Sequence, residues 1–534
     1  MSNFTENAFI ENAFIEFHNK NGDLPFPIVS ESEDFGILRI KMKKTEITKK
    51  NLFILFTIDK TGSMDEYVKN STKMQYLKQT FKNMLYYLSK QELEIYIRVQ
   101  SFNTDVDVDI ENIKITKENV SELCTKIMNI QAESSTNIEL ALETAKKTLN
   151  DYSIENPEHE IAHIFMTDGH PTIGESNIEK LSKLVDNRFY NIFVGYGLDH
   201  NGHLMKKISK HPNADYQFVD DMENTGLVYG ESIHQLLYPA IKELEIRVDD
   251  GLIYDWETNE WKDKLYINVL VSETEKIYQV KKNKIDIMEI DLYGKTPFQT
   301  ERQLIETINQ LPDLVDLDTN QIKEVDLTKY IYRQKVQEIL YKANNLLFGQ
   351  IYELKITMKD LFRKMRGYMR ENNLLNDPFM KLLCDDISVT YQNMGLTNGL
   401  PFTYNRQTSQ GRQRSYNVRS TSNADENLLR SKNNRLDIDT QPLRLQRQYA
   451  VSSAMFTRSI ATNDFGTIDE FDDNNIVERS LNINTDNIEQ YNTEQDNTVD
   501  DEDNLDNYLV SNEVTSCYST PSVLNTMRSI SQNI

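Results

Sequence analysis

The chain has 534 residues and a formal net charge of −24, an acidic excess that excludes a protein binding nucleic acid along its whole surface. No apolar run approaches the ~20 residues that span a bilayer, so no membrane partner is expected. Its three cysteines, Cys124, Cys384 and Cys517, lie far apart without Cys-x-x-Cys spacing, which excludes a zinc-finger appendage and a disulfide framework.

The amino end has no basic-then-apolar leader pattern, and with so few cysteines a reducing location is expected, cytoplasmic or virion and not secreted. Residues 1–34 carry a tandem copy, Glu6-Asn7-Ala8-Phe9-Ile10 and Glu11-Asn12-Ala13-Phe14-Ile15. Ten residues are too few for a solenoid, and this stretch reads as a disordered extension. From 36 to 43, Leu38, Ile40 and Met42 alternate with Arg39, Lys41 and Lys43. That pattern predicts a strand with one wet face, so residues 35–50 are assigned to an antiparallel module.

Residues 51–243 alternate between strand and helix patterns, with strands at 52–58, 94–102, 105–110, 161–167, 190–197 and 215–219. Helices fit near 64–89, 117–129, 137–150, 176–186, 202–210 and 223–243. The alternation predicts an α/β fold, a doubly wound and mostly parallel sheet with helices on both faces. Its first strand, Leu52 to Ile58, is apolar throughout and so buried on both faces. Directly after it comes Asp59-Lys60-Thr61-Gly62-Ser63-Met64, at the carboxyl edge where open α/β sheets bind ligands. A carboxylate and two hydroxyls at i, i+2 and i+4 are hard oxygen donors suited to Mg²⁺ or Mn²⁺ and poorly suited to zinc. Two later stretches end or follow strands at the same edge: Ser134-Ser135-Thr136-Asn137 and Thr167-Asp168-Gly169. Each residue alone is an ordinary turn or N-cap residue; the argument rests on the three stretches occurring together in this order.

In that combination the chain resembles the von Willebrand factor A domain, whose metal-ion-dependent adhesion site uses an Asp-x-Ser-x-Ser loop, a later Thr and an Asp after the fourth strand. Asp59, Thr61, Ser63, Thr136 and Asp168 match one by one, with Thr61 keeping the hydroxyl of the usual Ser. Val106–Ile110 resembles the family's antiparallel edge strand, and Asn191–Gly197 its fifth strand. The resemblance implies Mg (or Mn) held by Thr61, Ser63 and Thr136, with Asp59 and Asp168 mostly through water. One position would stay open for an Asp or Glu of a protein ligand. Met64, Asn137 and His170 are the expected rim that touches such a partner. Glu66 is followed by Tyr67, and no second metal is expected there.

Residues 244–298 read as four short strands of a β module, into which the α/β domain is inserted. Residues 299–398 return to helical spacing, with Met-rich stripes read as core. Residues 399–534 are polar: between Arg406 and Arg447 eight Arg and one Lys face four acids, and between Asp464 and Asp506 fifteen acids face one base. Such blocks bury too little apolar surface to offset chain entropy, so a disordered tail is expected. The 406–447 block could touch RNA or an acidic surface weakly; DNA is not expected.

Three functions compete. A non-catalytic, metal-dependent binding module comes first. A metal-assisted phosphoester hydrolase is disfavoured because no general base accompanies the hydroxyl ligands. A structural or virion assembly component, in which the domain only packs, is kept by the high Asn, Ile and Lys usage, which resembles AT-rich genomes such as those of large DNA viruses or protists. His159 and His163 are assigned structural roles.

Overall fold

The structure, a computed structural model, describes residues 9–20, 22, 24–44, 50–211, 213–297, 299–311, 323–346, 349–396, 398–419 and 503–532. Two strands open the chain, β1 (Ile10–Phe17) and β2 (Glu33–Met42), paired antiparallel with Ile15 opposite Leu38. The stretch expected to be a disordered extension therefore contributes a strand, because the last residue of each copy of the repeat, Ile10 and Ile15, enters a buried core.

The α/β domain follows. Its strands are β3 (Leu52–Asp59), a short ribbon β4 (Tyr67–Val68) and β5 (Ser71–Thr72), β6 (Ile95–Phe102), β7 (Val106–Lys114), β8 (Glu160–Thr167), β9 (Tyr190–Tyr196) and β10 (Ala214–Val219). Its helices are α1 (Lys73–Leu88), α2 (Val120–Met128), α3 (Ile138–Glu155), α4 (Ile178–Ser182), α5 (Gly202–Ile208) and α6 (Thr225–Leu237). The main sheet runs β10-β9-β8-β3-β6-β7, parallel except for the edge strand β7. Every residue of β3 is buried. On one face Phe56 meets Phe81 of α1, which meets Tyr229 of α6; on the other, Phe53 stacks on Tyr152 of α3 at 3.6 Å. The helix expected to reach residue 243 stops at Leu237, where Pro239, unable to donate in a helix interior, opens the next strand.

That strand is β11 (Pro239–Asp249), followed by β12 (Leu252–Asp255), β13 (Glu260–Lys262), β14 (Lys264–Val271), β15 (Glu275–Asn283), β16 (Glu289–Lys295) and β17 (Gln303–Asn309). They form two antiparallel sheets, β1-β2-β15-β12-β13 and β14-β11-β16-β17. β2 pairs with β15 along its length, Leu38 opposite Tyr278, so strands from both sides of the α/β domain share one sheet. Leu38, Ile40 and Met42 bury against Ile241, Leu244, Ile246 and Leu292 of the facing sheet. The other face of β2 is not wet as expected: Phe35 and Ile37 pack with α7 (Thr328–Asn344), α8 (Ile351–Glu371) and α9 (Pro378–Asn393), while Arg39 is drawn to Glu275 and Tyr330. β17 likewise falls in a stretch expected to be helical.

The largest departure concerns residues 399–534. Leu400–Arg412 is a helix, α10, whose Thr403, Asn405, Arg406, Gln407, Thr408, Ser409 and Gln410 are buried. Hydrogen bonding adds to the packing of Phe402 and Tyr404. Asn344 Nδ2 donates to Thr403 O and Gln407 Oε1 at 3.0 Å, Arg333 donates to Gln410 O at 2.8 Å and to Ile277 O at 2.7 Å, and Arg406 pairs with buried Asp386 at 3.2 Å. Arg412 and Arg414 both pair with Asp215, and the Ser415 and Tyr416 amides donate to Glu231. The first three arginines of the expected RNA-contacting block are thus occupied inside the fold; its part beyond residue 419 lies outside the described residues. Residues 503–532 also return to the fold, ending in α11 (Pro521–Ser531), which buries Val523, Met527 and Ile530 against the α/β core. Tyr87 and His234 both hydrogen-bond Thr526 Oγ1, at 3.0 and 3.1 Å. Among the described residues no helix is long and apolar enough to cross a membrane.

Two outcomes follow. A Cβ on Gly230 would lie 2.5 Å from Met527 Cα, so α6 and α11 touch backbone to backbone. Gly230→Ala should destabilise by about 1–3 kcal/mol through overpacking, despite the helix propensity gained, and thermal unfolding checks it. His163 in β8 is buried between Thr57 and Asn191, and burial pushes its pKa down to about 4. The folded state then binds fewer protons than the unfolded one, so this histidine's contribution is intact above about pH 6.5 and is lost as pH falls toward 4. His163→Gln should lose stability against the wild type at pH 7 and close that gap by up to roughly 3 kcal/mol on going to pH 4, as denaturant titrations at the two pH values would show.

Candidate metal centre

β3 ends at Asp59, flanked by β6 and β8, with Asp59 opposite Phe102 and Ile58 opposite Met166. The chain then turns through a 3₁₀ helix, Gly62–Asp65, pinned by buried Met64. Backbone hydrogen bonds stitch this turn to the loop before α3: Gly62 N donates to Ser134 O at 3.1 Å and Glu133 N to Lys60 O at 2.8 Å. A third segment locks on where the Thr172 and Ile173 amides donate to Thr136 O, while the Thr136 amide donates to Thr172 Oγ1. Three segments far apart in sequence thus meet through main-chain geometry before any side chain is considered.

Asp59 is fully buried, Oδ1 accepting the Thr61 amide at 2.8 Å and Oδ2 the Thr167 hydroxyl at 2.5 Å. Asp168 is also buried, with Oδ1 accepting from Ser63 Oγ at 2.7 Å and Oδ2 from Lys73 Nζ at 3.1 Å. Thr61 Oγ1 and Ser63 Oγ lie 3.0 Å apart. A Cβ added at Gly169 would meet Thr136 Oγ1 at 3.6 Å and Ser63 Oγ at 3.9 Å, so these two hydroxyls converge over that glycine. Burial, then repulsion from Asp168, raises the Asp59 pKa to about 7, and burial raises that of Asp168. Two buried carboxylates that resist carrying charge together are an arrangement a divalent cation would relieve. Among the described residues no group of three or more His, Cys, Asp or Glu side chains is placed to hold a metal, so hydroxyls must complete any set here. That donor chemistry fits a hard cation.

All five residues read from the sequence, Asp59, Thr61, Ser63, Thr136 and Asp168, come together. The expected rim fares differently. Met64 is buried beneath the turn and cannot touch a partner. Asn137 caps α3, accepting from Leu140 N and donating to Thr104 O; His170 is exposed. Sequence reasoning missed Thr167 and Lys73. Thr167 could have been found as the strand-end hydroxyl next to Asp168. Lys73 opens α1, where a cation opposes the helix dipole, so its place there signals carboxylate neighbours. Glu66, expected to hold no second metal, pairs with Lys73 at 2.6 Å. His159 bonds Tyr152 and Asn51, a structural role.

Residues 54–230 match the von Willebrand factor type A domain. This stretch is a von Willebrand factor type A domain. The chain is 24% identical over 315 residues to inter-alpha-trypsin inhibitor heavy chain H2 of Mus musculus, covering 57% of this chain and 32% of the relative. It is 28% identical over 227 residues to heavy chain H3 of Bos taurus, covering 39% and 24%. The chain thus spans about a third or less of these relatives' length. Among solved structures it is similar to a von Willebrand factor type A protein from Catenulispora acidiphila, with TM-score 0.47 and 11% identity over 72% of this chain and 91% of that one. It is also similar to the ArnB paralog VWA2 from Sulfolobus acidocaldarius, with TM-score 0.45 and 13% identity over 75% and 97%.

The hydroxyls at the edge of the type A domain separate into two kinds. Thr136 is tied into the fold through its backbone, whereas the Thr167 hydroxyl supplies a donor to buried Asp59. Thr136→Val should change stability by less than about 0.5 kcal/mol. Thr167→Val, leaving an acceptor unsatisfied, should cost about 1–3 kcal/mol. Thermal unfolding in EDTA ranks the two.

Proposed function

We propose that the type A domain is a non-catalytic receptor that captures a partner protein's Asp or Glu through Mg²⁺ or Mn²⁺ at this edge. Thr61, Ser63 and Thr136 would hold the ion, with Asp59 and Asp168 behind them, mostly through water. The observation that carries this reading is the convergence of three hydroxyls and two buried carboxylates at the sheet edge, with Ser63 exposed. Hydroxyl ligands bring no charge and the two carboxylates stand behind them, so a carboxylate in direct contact with the ion is favoured. When bound, the ion supplies Lewis acidity at an open coordination position; the chain's own residues shape and orient that position. A hydrolase would need a base poised beside the ion's water, yet both carboxylates are already engaged by Thr61, Thr167, Ser63 and Lys73. The relatives are named as heavy chains of inter-alpha-trypsin inhibitor, which suits a domain that attaches to other proteins. The alternative of a purely packing role, as in a virion or scaffold, predicts no metal dependence. A reducing setting, cytoplasm or virion, is part of the proposal and is supported by three unpaired cysteines.

Asp59→Ala should abolish Mg²⁺ binding and metal-dependent capture of partner proteins while the domain stays folded. Thr61→Ser, keeping the hydroxyl, should change Mg²⁺ affinity by less than about threefold, or 0.7 kcal/mol. Isothermal titration calorimetry on wild type and both variants decides it, alongside affinity capture with and without EDTA. Equal affinity in folded wild type and Asp59→Ala would overturn the reading.

A further inference from the structure

Lys73 is the one member of this centre that the proposed function leaves without a task. Its side chain is 3% exposed, so its ammonium cannot reach a partner. It sits among three carboxylates brought by three different segments: Glu66 from the turn after β3 at 2.6 Å, Asp168 from the end of β8 at 3.1 Å, and Asp199 from the loop after β9 at 3.8 Å. The geometry around it is built. Tyr196 at the end of β9 donates its hydroxyl to Lys73 O at 3.2 Å. Gly197 takes φ +80, and a Cβ there would lie 3.4 Å from Lys73 Cε, so the loop closes directly over the lysine stem.

Resting on the metal reading above, we propose that Lys73 is a built-in counter-cation that makes divalent-ion binding weak until a partner's carboxylate arrives. Lys73 occupies Oδ2 of Asp168, one of the two carboxylates proposed to balance the ion, and its positive charge beside the site is offset only in part by Glu66 and Asp199, whose side chains are more than half exposed and solvent-screened. Repulsion between like charges is screened less at a buried site than at an exposed one, which holds metal affinity low. A carboxylate contributed from outside adds the missing negative charge, so ion and partner bind with positive coupling, each raising the other's affinity. Before either arrives, the same ammonium holds the Glu66, Asp168 and Asp199 segments in place, which lets the loops be preformed without an ion. Lys73 is accordingly a positioning residue that sets the affinity of the site.

The test uses the full chain and the metal alone, Mn²⁺ followed by isothermal titration calorimetry. Lys73→Met should bind Mn²⁺ about tenfold or more tightly than wild type, whereas Lys73→Arg, which keeps the charge, should stay within about threefold of it. In EDTA, Lys73→Met should melt below wild type, and saturating Mn²⁺ should raise its melting temperature more than that of wild type. A lysine that merely filled space would move the EDTA melting temperature without tightening Mn²⁺ binding. Glu66→Gln, at a 55% exposed side chain, provides a second variant whose fold does not depend on a buried charge being removed. It releases the ammonium toward Asp168 and should weaken Mn²⁺ binding by about threefold or more. If wild type binds Mn²⁺ and Lys73→Met or Glu66→Gln binds it equally well, this proposal is overturned and the metal reading stands. If wild type, Lys73→Met and Lys73→Arg all fold and none binds Mn²⁺, both fall together.

Discussion

The pairing of β3 between β6 and β8 is the constraint on which the rest of the type A domain depends. An eight-residue strand buried on both faces tolerates almost no slip, because a shift of one residue would exchange Phe53 and Leu55 with Ile54 and Phe56 between two differently shaped helix layers. Fixing that register sets where the strand stops. Asp59 then falls level with Phe102, and Thr167 and Asp168 emerge from the neighbouring strand within hydrogen-bond reach of the β3 loop. The chemistry at the edge is a consequence of apolar packing several residues below it.

What could be read from the residues follows from the same physics. Apolar runs such as Leu52–Ile58 and helical spacing report burial directly, so the α/β sheet, its strand segments and the five converging site residues were all legible. Polar burial was not. α10 carries Thr403, Asn405, Gln407 and Ser409 into the interior, and nothing in such a composition distinguishes it from a solvated chain. What holds it is supplied by distant partners, Asn344, Arg333, Asp386 and Asp215, so the evidence for folding lies in residues 20 to nearly 200 positions away. Met64 failed as a rim residue for a related reason: a loop position does not tell whether its side chain turns out to solvent or pins the turn from beneath.

Buried polar contacts of this kind also specify arrangement. An Arg406–Asp386 pair inside the fold gains little over apolar residues of the same size, and burial raises the Asp386 pKa to about 7. Leaving either partner alone would be costly, so α10 seats in one register against α7 and α9. The Asp215 pairs do the same between β10 and the end of α10 with the residues just after it.

Besides α11 on its α6 face, the type A domain is fastened at its amino edge and along one flank, and this bears on how its carboxyl edge can work. At the amino edge of the sheet, β3 follows β2 and α6 leads directly into β11, with Lys242 donating to Glu160 at the start of β8 at 2.7 Å. Along one flank, Phe402 and Tyr404 of α10 pack on Phe218 and Tyr216 of β10. The hydroxyls and carboxylates lie at the opposite end of β8, seven residues on, or about 23 Å at the rise of a strand. The fastenings hold the domain without covering that edge. A partner's carboxylate would meet loops stitched by main-chain hydrogen bonds on a body restrained from several sides, so little freedom remains to be lost when it docks. What varies on binding is then charge rather than shape, and the fixed ammonium of Lys73 beside Asp168 sits where that charge balance is decided.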